Sequence, residues 1–271
     1  NVKINQLGMR GPEVKLEKSP GVFRILCIGD SNTFCLYSSE DATWPEVMRG
    51  LFATDKIKTE MLNSGCPGWS TADQVRFLEE KALDKVKPDM VLHMFCGNDP
   101  FDILDVAGQS GKFARQVKRV KKHGFFRGLR DSFSSNTAIG EMESRIRVAI
   151  KGLSQGPKQF VGQGPESKPL PLPIAVDKYK KYQQSYANMA RLCKSKNVPL
   201  VTVCFPHHKN DASNMPGLED RIAKTSEKNG AGFLPIVRDF AKLPEQDSLY
   251  NIPYDYHASP KGNPIIGKLI W

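Results

Sequence analysis

The chain has 271 residues, of which 39% are hydrophobic and 25% charged, the balance of an ordinary water-soluble globular protein. No apolar run approaches the roughly 18–20 residues that a membrane-spanning helix needs, which excludes an integral helical membrane protein from the residues given. The net charge of +10 is uneven: residues 1–100 are slightly acidic, and the stretch from Lys112 to Arg130 carries no acidic residue, a pattern suited to an anionic partner.

In chain order, apolar runs bounded by turn residues predict five strands, at 22–28, 59–62, 90–95, 199–205 and 232–237. Between them, helical spacing of apolar residues predicts a helix over 72–86, opened by Ser70 or Thr71 as cap, and another over 179–196. Strands alternating with helices imply a three-layer α/β/α sandwich around a mainly parallel five-stranded sheet. Residues 105–175 break this alternation. They hold the basic run, a helical pattern over 137–153 and a Gly/Pro-rich stretch over 156–173, and read as a partly flexible insertion in a single domain spanning 1–271. The chain begins at Asn1 and ends inside a helical pattern at Trp271, as a trimmed or processed piece would.

The six cysteines, Cys27, Cys35, Cys66, Cys96, Cys193 and Cys204, form no CxxC pair and no metal-ligand spacing. Several lie in or beside strands, where a thiol behaves as a small buried hydrophobe; a disulfide between loop cysteines such as Cys35 and Cys66 is the other reading.

In a parallel sheet, reactive groups collect in the loops beyond the carboxyl ends of the strands. Here those loops read Gly29-Asp30-Ser31-Asn32 after the first strand and Asn63-Ser64-Gly65-Cys66-Pro67-Gly68 after the second. Cys96-Gly97-Asn98-Asp99 follows the third, and Tyr254-Asp255-Tyr256-His257 precedes the last helix. Ser31, exposed between a strand and a helix, suits a nucleophile but equally an ordinary helix cap. Asp30 and Asp99 read as carboxylates bracing their loops. His207-His208, after the fourth strand, read as a loop pair near the same rim, with a substrate or metal role as the alternative.

Taken together and in this order, the four blocks resemble the SGNH-hydrolase superfamily of GDSL esterases and lipases. The resemblance covers residues 1–104 and 178–271. It implies a flavodoxin-like fold and a serine esterase that needs no metal or organic cofactor. By its motifs Ser31 is the nucleophile, His257 the general base and Asp255 the residue that orients it. The oxyanion donors are the Ser31 N–H, the Gly68 N–H and the Asn98 side chain. One departure is the spacing Asp-x-His, where many members have Asp-x-x-His and this chain has Tyr254 at the usual place; Asp239 and Asp247 are the next acidic candidates.

The implied substrate is a small-molecule, lipid or acetylated-sugar ester. An O-acyltransferase with the same serine and histidine, and a non-catalytic binding module of the same fold, are the rival readings. Within the insertion, Phe113, Val117 and Val120 share a helical side among Lys and Arg. That is the pattern of a helix on an anionic surface, of a cover over an acidic substrate, or of a solvated helix docked on its own domain. No nucleic-acid module surrounds the run, so no nucleic-acid partner is expected. The opening residues 4–13 resemble a leader found in some bacterial members. The start at Asn1 fits an extracytoplasmic or membrane-associated protein that has lost its N-terminal segment, with a cytoplasmic one also open.

Overall fold

The computed structural model describes residues 2–97, 99–102, 172–211 and 213–271. The insertion expected at 105–175 lies outside these except at its last residues, so its basic run and its helical pattern over 137–153 are outside the described chain.

Five parallel strands, β1 (Phe23–Ile28), β2 (Thr59–Asn63), β3 (Met90–Phe95), β4 (Leu200–Cys204) and β5 (Gly232–Leu234), form one sheet in the order β2-β1-β3-β4-β5. Strand residues alternate between the two faces, and both faces are covered, which is why the strands read as continuous apolar runs. On one face Leu26, Ile28, Val91 and Phe95 meet a helical layer. It consists of α3 (Thr71–Phe77), the short α4 (Asp99–Asp102), α5 (Leu172–Ser195) and α6 (Leu218–Lys228), with Phe77, Tyr182, Tyr186 and Ile222 buried. On the other face Ile25, Cys27, Leu92 and Val203 meet α2 (Trp44–Thr54), α7 (Val237–Ala241) and α8 (Gly262–Ile270) through Trp44, Met48, Phe240 and Ile266. The architecture is the α/β/α sandwich expected.

Several boundaries differ from the sequence expectation for identifiable reasons. The fifth strand stops at Leu234, because Pro235 has no N–H to continue the ladder. Residue Val237 instead starts α7, its N–H bound to Glu219 Oε1 at 3.0 Å. Helix α5 begins at Leu172 and so takes in the last residues assigned to the insertion; Pro173 suits a first helical turn, where its missing N–H has no partner to lose. The helix expected over 72–86 is α3 continued by wider π-helical turns over Leu78–Val86. Ser70 caps it in a reciprocal box with Asp73. Helices α2 and α6 were not expected from sequence; Thr43 caps α2 and Pro45 sits in its first turn. All six cysteines are free and buried, so Cys35 and Cys66 are not joined.

The sheet topology matters for function because β1, β2, β3 and β4 all end on one rim. The β1 turn leads into the single helical turn α1 (Ser31–Phe34), whose C-terminal carbonyls need partners. Arg10 supplies them. Its fully buried guanidinium donates to Phe34 O at 2.7 Å, Cys35 O at 2.8 Å and Ser38 O at 2.5 Å, pairs with Glu40 at 3.3 Å, and lies over the Phe34 ring. Arg10→Met keeps the apolar stem but leaves the Phe34 and Ser38 carbonyls and Glu40 without the guanidinium, a loss of about 2–4 kcal/mol. The melting temperature should fall by roughly 5 °C or more; a change within a degree would show that water replaces the guanidinium without cost.

Candidate active site

Strand β1 ends at Ile28, Gly29 follows it, and Asp30 caps α1 by accepting the Asn32 N–H at 2.8 Å. Ser31 is thereby fixed at the first helical position, with its own N–H unclaimed by the helix ladder. Two glycines make this turn sterically feasible. A Cβ on Gly29 would lie 2.1 Å from Thr33 Oγ1, and one on Gly65 would lie 2.2 Å from Phe34 N. The loop after β2 therefore rests directly on α1, tied by Ser64 N–H to Cys27 O at 2.9 Å and Cys66 N–H to Gly29 O at 3.1 Å. Gly68 follows in that loop at φ +75°, a left-handed conformation that glycine adopts without strain.

The loop before α8 carries the other groups. His257 Nε2 lies 2.7 Å from Ser31 Oγ, across 226 positions of sequence. Its Nδ1 lies 3.2 Å from Asp255 Oδ2, while Asp255 Oδ1 accepts the His257 backbone N–H at 3.0 Å. The short Asp-x-His spacing is thus compatible with a side-chain pair, because one carboxylate oxygen closes the local turn and the other reaches the ring. Tyr254, at the more usual acidic position, points outward and is 54% exposed. The two alternative carboxylates are engaged elsewhere, Asp239 with Lys242 and Asp247 with His208.

The carboxylate defines the tautomer: an ionised Asp255 can only accept, so Nδ1 carries the proton and Nε2 offers its lone pair to the Ser31 hydroxyl. Burial pushes the His257 imidazole down, but the hydrogen bond and charge of Asp255, helped by Asp30 and Asp211, outweigh it and raise it above the ordinary histidine value. Burial pushes the Asp255 carboxyl up; the hydrogen bond and charge of His257 and a hydrogen bond from Tyr37 bring it below its ordinary value.

Tyr37 was not singled out in the sequence. It sits in the loop held by Arg10 at φ +67°, its ring 6.0 Å edge-on from that of His257. A lone Tyr six residues after a serine carries no pattern, and only the fold brings it to Asp255.

The turn after β3 is closed by Asp99, whose Oδ2 accepts the Cys96 N–H at 3.2 Å and whose N–H reaches Cys96 O at 2.9 Å. Asp30 and Asp99 are loop braces, as expected. Asn98 itself lies outside the described residues. Of the five residues singled out, Ser31, His257 and Asp255 meet directly, and Gly68 lies in the loop packed on α1. Among the described residues no cluster of three or more potential metal ligands occurs, and His207 and His208 bind other protein groups.

The sequence pattern of the GDSL-like Lipase/Acylhydrolase family matches residues 27–265, which spans all of these loops. The chain belongs to that family. It is accordingly an ester-hydrolysing enzyme. Solved structures of the same fold include an acetyl xylan esterase, AlAXEase, at 13% identity and TM-score 0.54, covering 92% of this chain and 98% of the other. The lipase/acylhydrolase from Enterococcus faecalis aligns at 14% identity and TM-score 0.52, covering 92% and 93%. A psychrotrophic esterase, EstA from Pseudoalteromonas sp., aligns at 14% and 0.51, covering 91% and 93%. Comparison with curated proteins gives no match in sequence.

The electrostatics give a direct measurement. His257 should titrate above the free-histidine value of about 6.5, because Asp255 favours its protonated form. Asp255→Asn removes the largest raising influence, so the NMR titration midpoint should move down. An unchanged midpoint would assign the effect to Asp30 and Asp211 instead.

Proposed function

We propose that the chain is a serine esterase that cleaves a carboxylic oxygen ester through an acyl-enzyme. The observation that carries this reading is the 2.7 Å approach of Ser31 Oγ to Nε2 of a histidine whose other nitrogen faces a carboxylate. In an isolated strand-to-helix cap there would be no reason for a base to sit at that oxygen.

The steps follow from the tautomer. Ser31 Oγ forms a bond to the acyl carbon while its proton passes to His257 Nε2, and Asp255 stabilises the resulting imidazolium. The oxyanion is met by the Ser31 N–H and, by the family's motif, by the Gly68 N–H and the Asn98 side chain. As the C–O bond to the leaving alcohol breaks, Nε2–H protonates the alcohol oxygen. Water then attacks the acyl-enzyme with His257 again as base, and Ser31 is regenerated with release of the acid. No step calls for a metal or an organic cofactor.

The substrate class is a small-molecule, lipid or acetylated-sugar ester. A panel of p-nitrophenyl esters from acetate to palmitate, run beside acetylated polysaccharides, reads the acyl length and the alcohol. Release of free acid without an added acceptor separates hydrolysis from acyl transfer.

Ser31→Ala should lose several orders of magnitude in turnover with the fold intact, and a fluorophosphonate should label wild type but not the variant. Retention of more than about a tenth of the activity would rule out Ser31 as nucleophile.

Turnover should rise with pH as His257 loses its proton. Because Asp255 raises the folded-state value, the midpoint should lie above about 6.5. A flat profile across that region would exclude a histidine base. Asn98→Ala should lower kcat roughly 10²- to 10³-fold with little change in KM; an effect confined to KM would make it a substrate-binding group.

A further inference from the structure

The two histidines that follow β4 occupy positions that the chemistry above does not use, and they face opposite ways. His207 is turned toward the end of β3. Its Nε2 accepts the Gly97 N–H at 2.9 Å, and its Nδ1 lies 2.6 Å from Asp211 Oδ2. Asp211 is itself held, since its Oδ1 accepts the Ser213 N–H at 2.9 Å and its own N–H reaches His208 O at 2.9 Å. The Gly97 backbone presses against this assembly so closely that a Cβ there would lie 2.5 Å from Ser213 O and 3.1 Å from His207 Nε2. A ring that accepts from a backbone N–H and faces a carboxylate on its other side is in one defined tautomer, with the proton on Nδ1.

His208 is turned toward the Asp255–His257 loop. Its buried ring stacks on Tyr256 with centroids 5.3 Å apart and planes 9° from parallel, and meets the Tyr250 ring edge-on at 5.1 Å. Its Nδ1 accepts the Asn210 N–H at 3.2 Å and its Nε2 lies 3.0 Å from Asp247 Oδ1. The same strand end adds Pro206 O, which accepts the Tyr250 hydroxyl at 2.6 Å, and Tyr250 bridges to Ala258 just beyond His257.

We propose that His207 and His208 are a pair of positioning residues that refer both halves of the site to one rigid strand end. His207 sets the turn at Gly97, and His208 sets the loop that carries Asp255 and His257. This rests on the serine-esterase reading, in which the Gly97 turn presents an oxyanion donor and the other loop presents the base. A displacement of about 1 Å in either half can cost on the order of 10²-fold in rate, so a shared reference for the two is functionally significant.

Two substitutions at one position separate the contacts of His207. His207→Asn keeps an amide near the old Nδ1, able to donate to Asp211, but does not reach Gly97. His207→Gln places its Oε1 near the old Nε2 and can still accept the Gly97 N–H. On p-nitrophenyl acetate, His207→Asn should lower kcat roughly 10- to 100-fold with KM within about twofold, and His207→Gln should recover most of the loss. At the second position His208→Phe keeps the stack on Tyr256 and should stay within a few-fold of wild type, whereas His208→Ala should lose roughly 10-fold or more.

Hydrogen exchange at the Gly97 amide is read on the same proteins. It should quicken in His207→Asn and stay slow in His207→Gln. Equal turnover for Asn and Gln at position 207, a loss that simply follows the drop in melting temperature, or unchanged Gly97 protection in His207→Asn would each overturn the proposal. Ser31→Ala serves as the control for the underlying reading: activity surviving in that variant would overturn the serine mechanism, while the exchange rates would still decide the brace.

Discussion

The serine turn is built at a backbone separation that leaves no space for a side chain on either flank, and the rest of the site is arranged around that contact. Gly29 lets β1 end against Thr33, and Gly65 lets the β2 loop lie on the Phe34 amide. With those two approaches in place, Ser31 stands at the start of α1 with its hydroxyl directed across the rim rather than into a helix groove. Arg10 holds the far end of the same turn by collecting its free carbonyls. A substitution at any of these points acts on the nucleophile without touching it, because what it changes is the path of the backbone.

The electrostatic design runs on opposed effects. Taking His257 partly out of water disfavours its charged form, whereas Asp255, Asp30 and Asp211 favour it, and the carboxylates prevail. The balance has consequences for chemistry at neutral pH. A base that is too weak would not take the serine proton, and one protonated too firmly would be unavailable. Tyr37 moderates this from behind, since its hydroxyl on Asp255 spreads the carboxylate's charge over a further donor. His93 in the middle of β3 shows the contrary case. It is fully buried, with the Asp99 carboxylate no nearer than 3.9 Å to its Nε2; burial pushes it down to about 3, and it stays neutral among Thr202 and Tyr186.

Much of this was legible in the sequence because strands buried on both faces announce themselves as apolar runs, and because polar residues placed right after such runs have few structural uses in common. Ser31 stood out after such a run, while its role and those of Asp255 and His257 came from the family resemblance of four weak blocks in order. The pair after β4 was visible as two adjacent histidines but not interpretable, since neither Gly97 nor Tyr256 is near it in sequence: the parallel order of β3 and β4 brings Gly97 to His207, and the loop before α8 brings Tyr256 to His208. Tyr37 and Arg10 gave no signal for a similar reason: Arg10 binds backbone carbonyls in a loop beyond the first strand, and Tyr37 a carboxylate more than two hundred residues away, which no local pattern encodes. Element boundaries failed near prolines: Pro235 has no N–H to carry β5 onward, and Pro173 fits the first turn of α5, which begins earlier than its apolar spacing announces.

The buried thiols have a consequence for covalent chemistry. Burial holds the Cys35 and Cys193 thiols up to about 12, and those of Cys27 and Cys204 well above their ordinary value. The species that reacts with oxidants, alkylating agents and disulfides is the thiolate, and at neutral pH these four supply almost none of it. The sulfurs next to the serine turn therefore behave as packing material, despite being intrinsically the better nucleophiles. Reagents directed at sulfur should pass these positions by while the chain is folded, and thiol–disulfide exchange has no foothold on them. At these four positions the folded chain keeps one covalent form whether its surroundings are oxidising or reducing.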